Sequence, residues 1–200
     1  ATVVTTTRTA TVDLRRVGRP RLEVRAVSTP PAEASHDRPK ERAVDATRRW
    51  LQVLGVTTAE GRVCRGMEAK FRQIHRFVEL LDPLLVAAGL KGDAAASAGA
   101  LEPLRLVDMG CGKGYLTFAA HEHLGRESRR PVRTRGVEVR PELVEAGNRH
   151  VRECGVEGLE FVAGAIAEQA VGPADVLVAL HACDTATDDA LAAGIAAGAR

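Results

Sequence analysis

Three glycines at alternate positions, Gly110, Gly112 and Gly114, follow an acid, Asp108, which closes a short apolar run of Leu104, Leu106 and Val107. A helical pattern starts directly after them at Tyr115. This order predicts a strand, a tight loop and a helix. Glycine takes positive φ at little cost and lets a flat ligand lie on bare backbone, while the N–H groups that open the next helix point at it. A loop of this kind suits a nucleotide-like cofactor.

Spacing narrows the choice. The dinucleotide fingerprint G-x-G-x-x-G needs its third glycine to bring the helix close to the strand around a pyrophosphate. Tyr115 occupies that place here. The run Asp108-Met109-Gly110-Cys111-Gly112-Lys113-Gly114 instead resembles motif I of class I S-adenosylmethionine (SAM) methyltransferases. The resemblance implies SAM as cofactor, with Asp108, Gly110, Cys111, Gly112, Gly114 and Tyr115 at its binding loop. SAM has a cationic amino-acid end and no phosphate, so an acid beside the loop favours it.

Further candidates lie downstream. Glu138 ends the second expected strand, about two dozen residues past the loop, where an acid in a doubly wound fold accepts hydrogen bonds from both ribose hydroxyls of an adenosine ligand. That feature serves NAD and SAM alike. After the third strand comes Ala163-Gly164-Ala165-Ile166. Many such methyltransferases place an aspartate there against the adenine amino group; with Ala165 in its position, backbone groups and Ile166 are expected to hold the base. The fourth strand runs into His181-Ala182-Cys183-Asp184. Ligands bind at the C-terminal ends of strands where strand order reverses, so His181 and Asp184 are the candidate catalytic residues facing a methyl acceptor. Histidine takes a proton near neutral pH, and aspartate can orient it or the acceptor. Asn-Pro-Pro-Tyr, used by many adenine amino-group methylases, is absent, as is the Pro-Cys dipeptide of cytosine C5 methylation.

The elements that must position these residues alternate as a parallel sheet requires. Strands are expected over 104–108, 132–139, 159–162 and 174–180, with helices from Tyr115, from Pro141 to Cys154, and from about Thr185. Upstream, the apolar spacing of Phe71, Ile74, Phe77, Val78 and Leu81 predicts a helix over about 67–88 that carries Lys70, Gln73 and His75. Another helix is expected to open near His36, with Asp37 as its cap, and to run through Val44, Trp50, Leu51 and Leu54 to Gly55. Residues 2–27 alternate in the manner of a β-hairpin or small sheet around a turn at Val17-Gly18-Arg19-Pro20. The expected division is an N-terminal β extension and linker (1–35), a helical lead-in (36–100) and a cofactor-binding core (101–200).

Composition bounds the rest. A chain of 200 residues can bury one good core. Aromatic residues make up only 3%, so alanine, valine and leucine must fill it. The net charge of +2 conceals an uneven distribution, about +6 in the first 90 residues and about −4 in the remainder. A basic front half suits RNA or an acidic partner, though an arginine-rich composition gives the same bias. The four cysteines, Cys64, Cys111, Cys154 and Cys183, form no C-x-x-C pair, so reduced thiols and no metal site are expected. No stretch approaches the roughly 20 apolar residues of a membrane helix, and a cytoplasmic protein is expected.

The segments HDRPKERAV (36–44), KFRQIHRFVELL (70–81), VDMGCGKGYLTF (107–118), GVEVRPELV (136–144) and LHACDTATDDAL (180–191) together resemble a methyltransferase-domain family. The resemblance covers about residues 36–200. It implies a Rossmann-like α/β fold with a doubly wound parallel sheet and a SAM-dependent methyltransferase acting on RNA or protein. It also implies a C-terminally incomplete core, since such proteins usually continue into a fifth strand and a proline-cysteine-cysteine motif. Lys70 or Gln73 is expected near the SAM carboxylate. Two rival readings follow from the residues: an NAD-dependent oxidoreductase, disfavoured by Tyr115 and the absence of Tyr-x-x-x-Lys, and a non-catalytic SAM- or nucleic-acid-binding module, prompted by Ala165.

Overall fold

A computed structural model describes residues 2–4, 8–13, 21–26, 43–91, 102–128, 130–165, 172–180 and 185–199. The chain divides into two compact units, residues 1–41 and 42–200. The first holds a three-stranded antiparallel sheet of β1 (Thr2–Val4), β2 (Arg8–Asp13) and β3 (Arg21–Ala26) in sequential order. Arg8 pairs with Ala26 and Asp13 with Arg21, so β2 and β3 are aligned over their full length. The expected turn at 17–20 and the expected cap at Asp37 lie outside the described residues.

In the second unit, α1 (Arg49–Val53) and α2 (Glu68–Ala87) precede alternating strands and helices: β4 (Leu104–Met109), α3 (Tyr115–Ser128), β5 (Val132–Glu138), α4 (Pro141–Cys154), β6 (Leu159–Ala163), β7 (Val176–Val178) and α5 (Thr185–Ala197). The four strands are parallel in the order β6-β5-β4-β7. The chain builds outward from β4 through β5 to β6, then crosses back to place β7 on the other side of β4. Strand order therefore reverses between β4 and β7. This is a Rossmann-like doubly wound sheet.

Alternation along β4 sets the two faces. Leu104 and Leu106 join Leu81 and Leu85 of α2 and Ala120 and Leu124 of α3 on one side. Val107 and Met109 meet Val137, Ala174 and Ala190 of α5 on the other. A third cluster joins the lead-in to this core: Trp50, Phe71 and Ile74 pack with Phe118 and Phe161. Trp50 stacks on Phe118 at 6.0 Å and donates its indole N–H to Glu122.

Two elements are shorter than their apolar patterns suggest. Of the helix expected from His36 to Gly55, residues 36–42 lie outside the described residues, and within 43–55 the helix is confined to Arg49–Val53: Asp45 accepts the Thr47 N–H (2.9 Å) and hydroxyl (2.8 Å) and its carbonyl takes the Arg48 N–H, a local turn that competes with helix. The strand expected over 174–180 pairs with β4 only at 176–178.

Three glycines press against the Phe161 ring on β6. An ideal Cβ would fall 2.6 Å from its ring at Gly114, 2.8 Å at Gly136 and 2.7 Å at Gly147, so the loop, β5 and α4 all meet the ring with bare backbone. Asn148 fixes the same residue, accepting the Phe161 N–H (2.9 Å) and donating to its carbonyl (2.7 Å). Helix propensity alone would favour Gly147→Ala by about 1 kcal/mol. Packing reverses the sign: this substitution should destabilise the protein by about 1–3 kcal/mol in urea unfolding, and adding Phe161→Leu should recover part of the loss.

Candidate functional site

The loop after β4 is held to the neighbouring strand. The Gly110 and Cys111 N–H groups both donate to the Val137 carbonyl (2.9 and 3.0 Å), and Gly112 N–H donates to Glu138 Oε2 (2.8 Å). Gly110, Gly112 and Gly114 have φ of 71°, 58° and 79°, the left-handed region in which a side chain would be strained. Above the loop lies a cleft of about 490 Å³, lined by Asp108, Gly110, Cys111, Gly112, Lys113, Tyr115, Met67 and Lys70, with Leu180 beyond β7 on its far side. A wider concavity of about 560 Å³ lies lower on the sheet, against Arg105, Arg133 and Arg135. The cleft is the better candidate, since it sits at the C-terminal ends of the strands beside the reversal of strand order.

Two acids flank the loop in opposite electrostatic states. Asp108 is buried, and burial pushes its carboxyl up to about 7, opposed by the Thr117 hydroxyl, which donates to Oδ2 at 2.6 Å. Glu138 is also buried, at 4% exposure, yet its carboxyl is held below the usual range. Hydrogen bonding from the Arg140 side chain is the main cause, with the Arg140 and Gly112 N–H groups adding to it against the cost of burial. Oε1 accepts Arg140 N–H (3.1 Å) and Nε (2.9 Å), and Oε2 accepts Arg140 Nη2 (3.2 Å) beside Gly112.

Of the other candidates, the described ones lie on the loop, on α2 and just past β6. Burial drives the Cys111 thiol far up, so it is a packed neutral group and no nucleophile at neutral pH. Lys70 reaches the cleft from α2, donates to Gln73 Oε1 at 2.7 Å and lies 5.1 Å above the Tyr115 ring. Gly114 is pressed against Phe161. Ala165 is half-buried just past β6. His181, Cys183, Asp184 and Ile166 lie outside the described residues. Thr117 and Arg140 were not singled out by the sequence; the signal for Arg140 is its position two residues beyond Glu138, on the same side of an extended chain.

A sequence profile described as "Methyltransferase domain" matches residues 69–200. The chain belongs to this methyltransferase-domain family. No curated protein sequence matches it. Similar solved chains include the RNA methyltransferase from Salinibacter ruber in complex with S-adenosyl-L-homocysteine (24% identity over 50% of this chain and 56% of that one, TM-score 0.35). Geranyl diphosphate methyltransferase in complex with GPP and sinefungin is another (22%, 64% and 45%, TM-score 0.41), as is YcgJ from Bacillus subtilis (22%, 52% and 43%, TM-score 0.38). The chain spans about half the length of these relatives. Among the described residues no cluster of histidine, cysteine and carboxylate groups could hold a metal ion, and no helix of this methyltransferase domain is long and apolar enough to cross a membrane.

A carboxyl whose folded-state pKa lies above its unfolded value of 3.8 holds its proton in the folded state after the unfolded chain has released it. Asp108 therefore favours folding fully below pH 4, and that contribution is lost as pH rises towards about 7. Asp108→Asn should remove this decline, so urea unfolding at pH 5 and pH 8 should show the variant gaining on the native protein at the higher pH.

Proposed function

We propose that this domain transfers a methyl group from SAM to an RNA or protein acceptor. The observation that carries the reading is the pairing of a left-handed glycine loop with a buried, ionised Glu138 hydrogen-bonded to that loop, at the switch point of a doubly wound sheet. The cofactor is SAM, and the donors and acceptors fit it. Glu138 presents a carboxylate where a ribose diol meets the end of β5. Asp108, uncharged or charged with nearly equal ease at neutral pH, is drawn to its charged form by an ammonium group. Lys70 offers a cation for the carboxylate of the same amino-acid end, with Gln73 beside it, and Gly110 and Gly112 leave room that a side chain would fill. By its place in the sequence after β6, Ile166 is the side chain assigned to the adenine.

When bound, SAM supplies a methyl carbon activated by a sulfonium centre. The chain's own part is to place an acceptor in line with that carbon and to exclude water. His181 is the group assigned to take the acceptor proton, and Asp184 the one assigned to orient the imidazole or the acceptor. The resemblance over residues 36–200 supports RNA or protein as acceptor, and the basic front half accords with RNA.

Calorimetry of the full chain should show saturable SAM binding that Gly110→Arg and Asp108→Ala abolish. Glu138→Ala should weaken binding at least tenfold, the equivalent of one charge-assisted hydrogen bond of about 1.5 kcal/mol. Absence of SAM binding by folded protein, or a thermal shift with NAD that SAM does not give, would overturn the cofactor assignment. Radiolabelled SAM with fractionated RNA and protein identifies the acceptor. Binding without any labelled product would favour a non-catalytic module.

A further inference from the structure

Glu138 is already saturated. A carboxylate offers about four acceptor positions in its plane, and the chain itself fills them with the N–H of Arg140, its Nε and Nη2, and the N–H of Gly112. A ribose diol needs two of these positions. The Gly112 bond belongs to the loop, and the Arg140 N–H follows from the backbone bend at the end of β5, whereas the guanidinium is free to leave. Its side chain is 57% exposed while that of Glu138 is 4% exposed. A second acid, Glu142, lies in the first turn of α4 near enough to act on the Arg140 charge, behind Glu138 itself.

We propose that the Arg140 guanidinium competes with the cofactor ribose for Glu138, and so sets how tightly SAM is held and how fast the spent cofactor leaves. The proposal rests on the assignment of Glu138 to the ribose. In its inner position the guanidinium keeps a buried carboxylate ionised and correctly turned, which spares the site the cost of an unpaired buried charge. In its outer position beside Glu142 it leaves two acceptor positions for the diol. Arg140 thus acts through Glu138, as a positioning residue that trades affinity for a preformed site.

Calorimetry and stopped-flow measurements at pH 8 with SAM and S-adenosylhomocysteine test this on the native chain, Arg140→Ala and Arg140→Gln, with thermal melts to confirm folding. Both variants should bind about tenfold tighter, chiefly through slower release. A merely structural role would weaken binding. In a Glu138→Gln background the Arg140→Ala gain should vanish. If the native chain binds SAM and both variants bind equally or more weakly, or if the gain persists without Glu138, the competition does not exist. If the native chain fails to bind SAM at all, the ribose assignment falls first, and this proposal with it.

Discussion

The close approach of backbone to the Phe161 ring is the constraint on which the other features depend. Gly114, Gly136 and Gly147 come from the loop, β5 and α4, and each would drive a Cβ to within 3 Å of the same ring. Because three elements converge on one side chain, the loop cannot shift without disturbing β5 and α4 as well. The loop's position fixes the bonds from Gly110 and Cys111 to Val137 and from Gly112 to Glu138, and those bonds place the buried carboxylate beside the glycine backbone. Asn148 completes the arrangement by holding the Phe161 backbone from α4.

On this rigid frame, two carboxyls a short distance apart in the fold are driven in opposite directions. Asp108 has one hydroxyl donor and a nearly dry environment, so burial dominates and its proton is held to about pH 7. Glu138 is as little exposed but lies nearer the surface and meets a guanidinium and two backbone N–H groups, so hydrogen bonding outweighs the cost of burial and it remains charged. Pairs of acids separated in this way mark places where a fold has prepared two distinct roles. Here the soft charge lies at the strand end below the glycines, and the fixed charge at the neighbouring strand.

Much of this was legible in the sequence, because parallel strands buried on both faces leave continuous apolar runs and because glycines at alternate positions after a strand have few other uses. The strand at 104–109, the helix at 141–154 with Pro141 at its start and Gly155 at its stop, and the place of Glu138 all follow from local pattern. Helix expected over 43–48 gives way to a side-chain turn at Asp45, and the β7 strand is shorter than expected because pairing with β4 ends before its apolar run does. The Phe161 nest was invisible: Gly136 and Gly147 look like weak points in a strand and a helix until the ring that fills their missing side chains is known. Thr117 and Arg140 were missed for the same reason, as each acts on an acid defined by the fold.

Backbone amide chemical shifts of uniformly 15N-labelled protein, followed by NMR as SAM is added, test the site most directly. The largest saturable changes should fall at Gly110, Gly112, Tyr115 and the Glu138–Arg140 segment, with Gly158 at the opposite end of the sheet unmoved. Changes centred instead on Arg105, Arg133 and Arg135, with the glycine loop silent, would contradict the assignment of this cleft as the cofactor site.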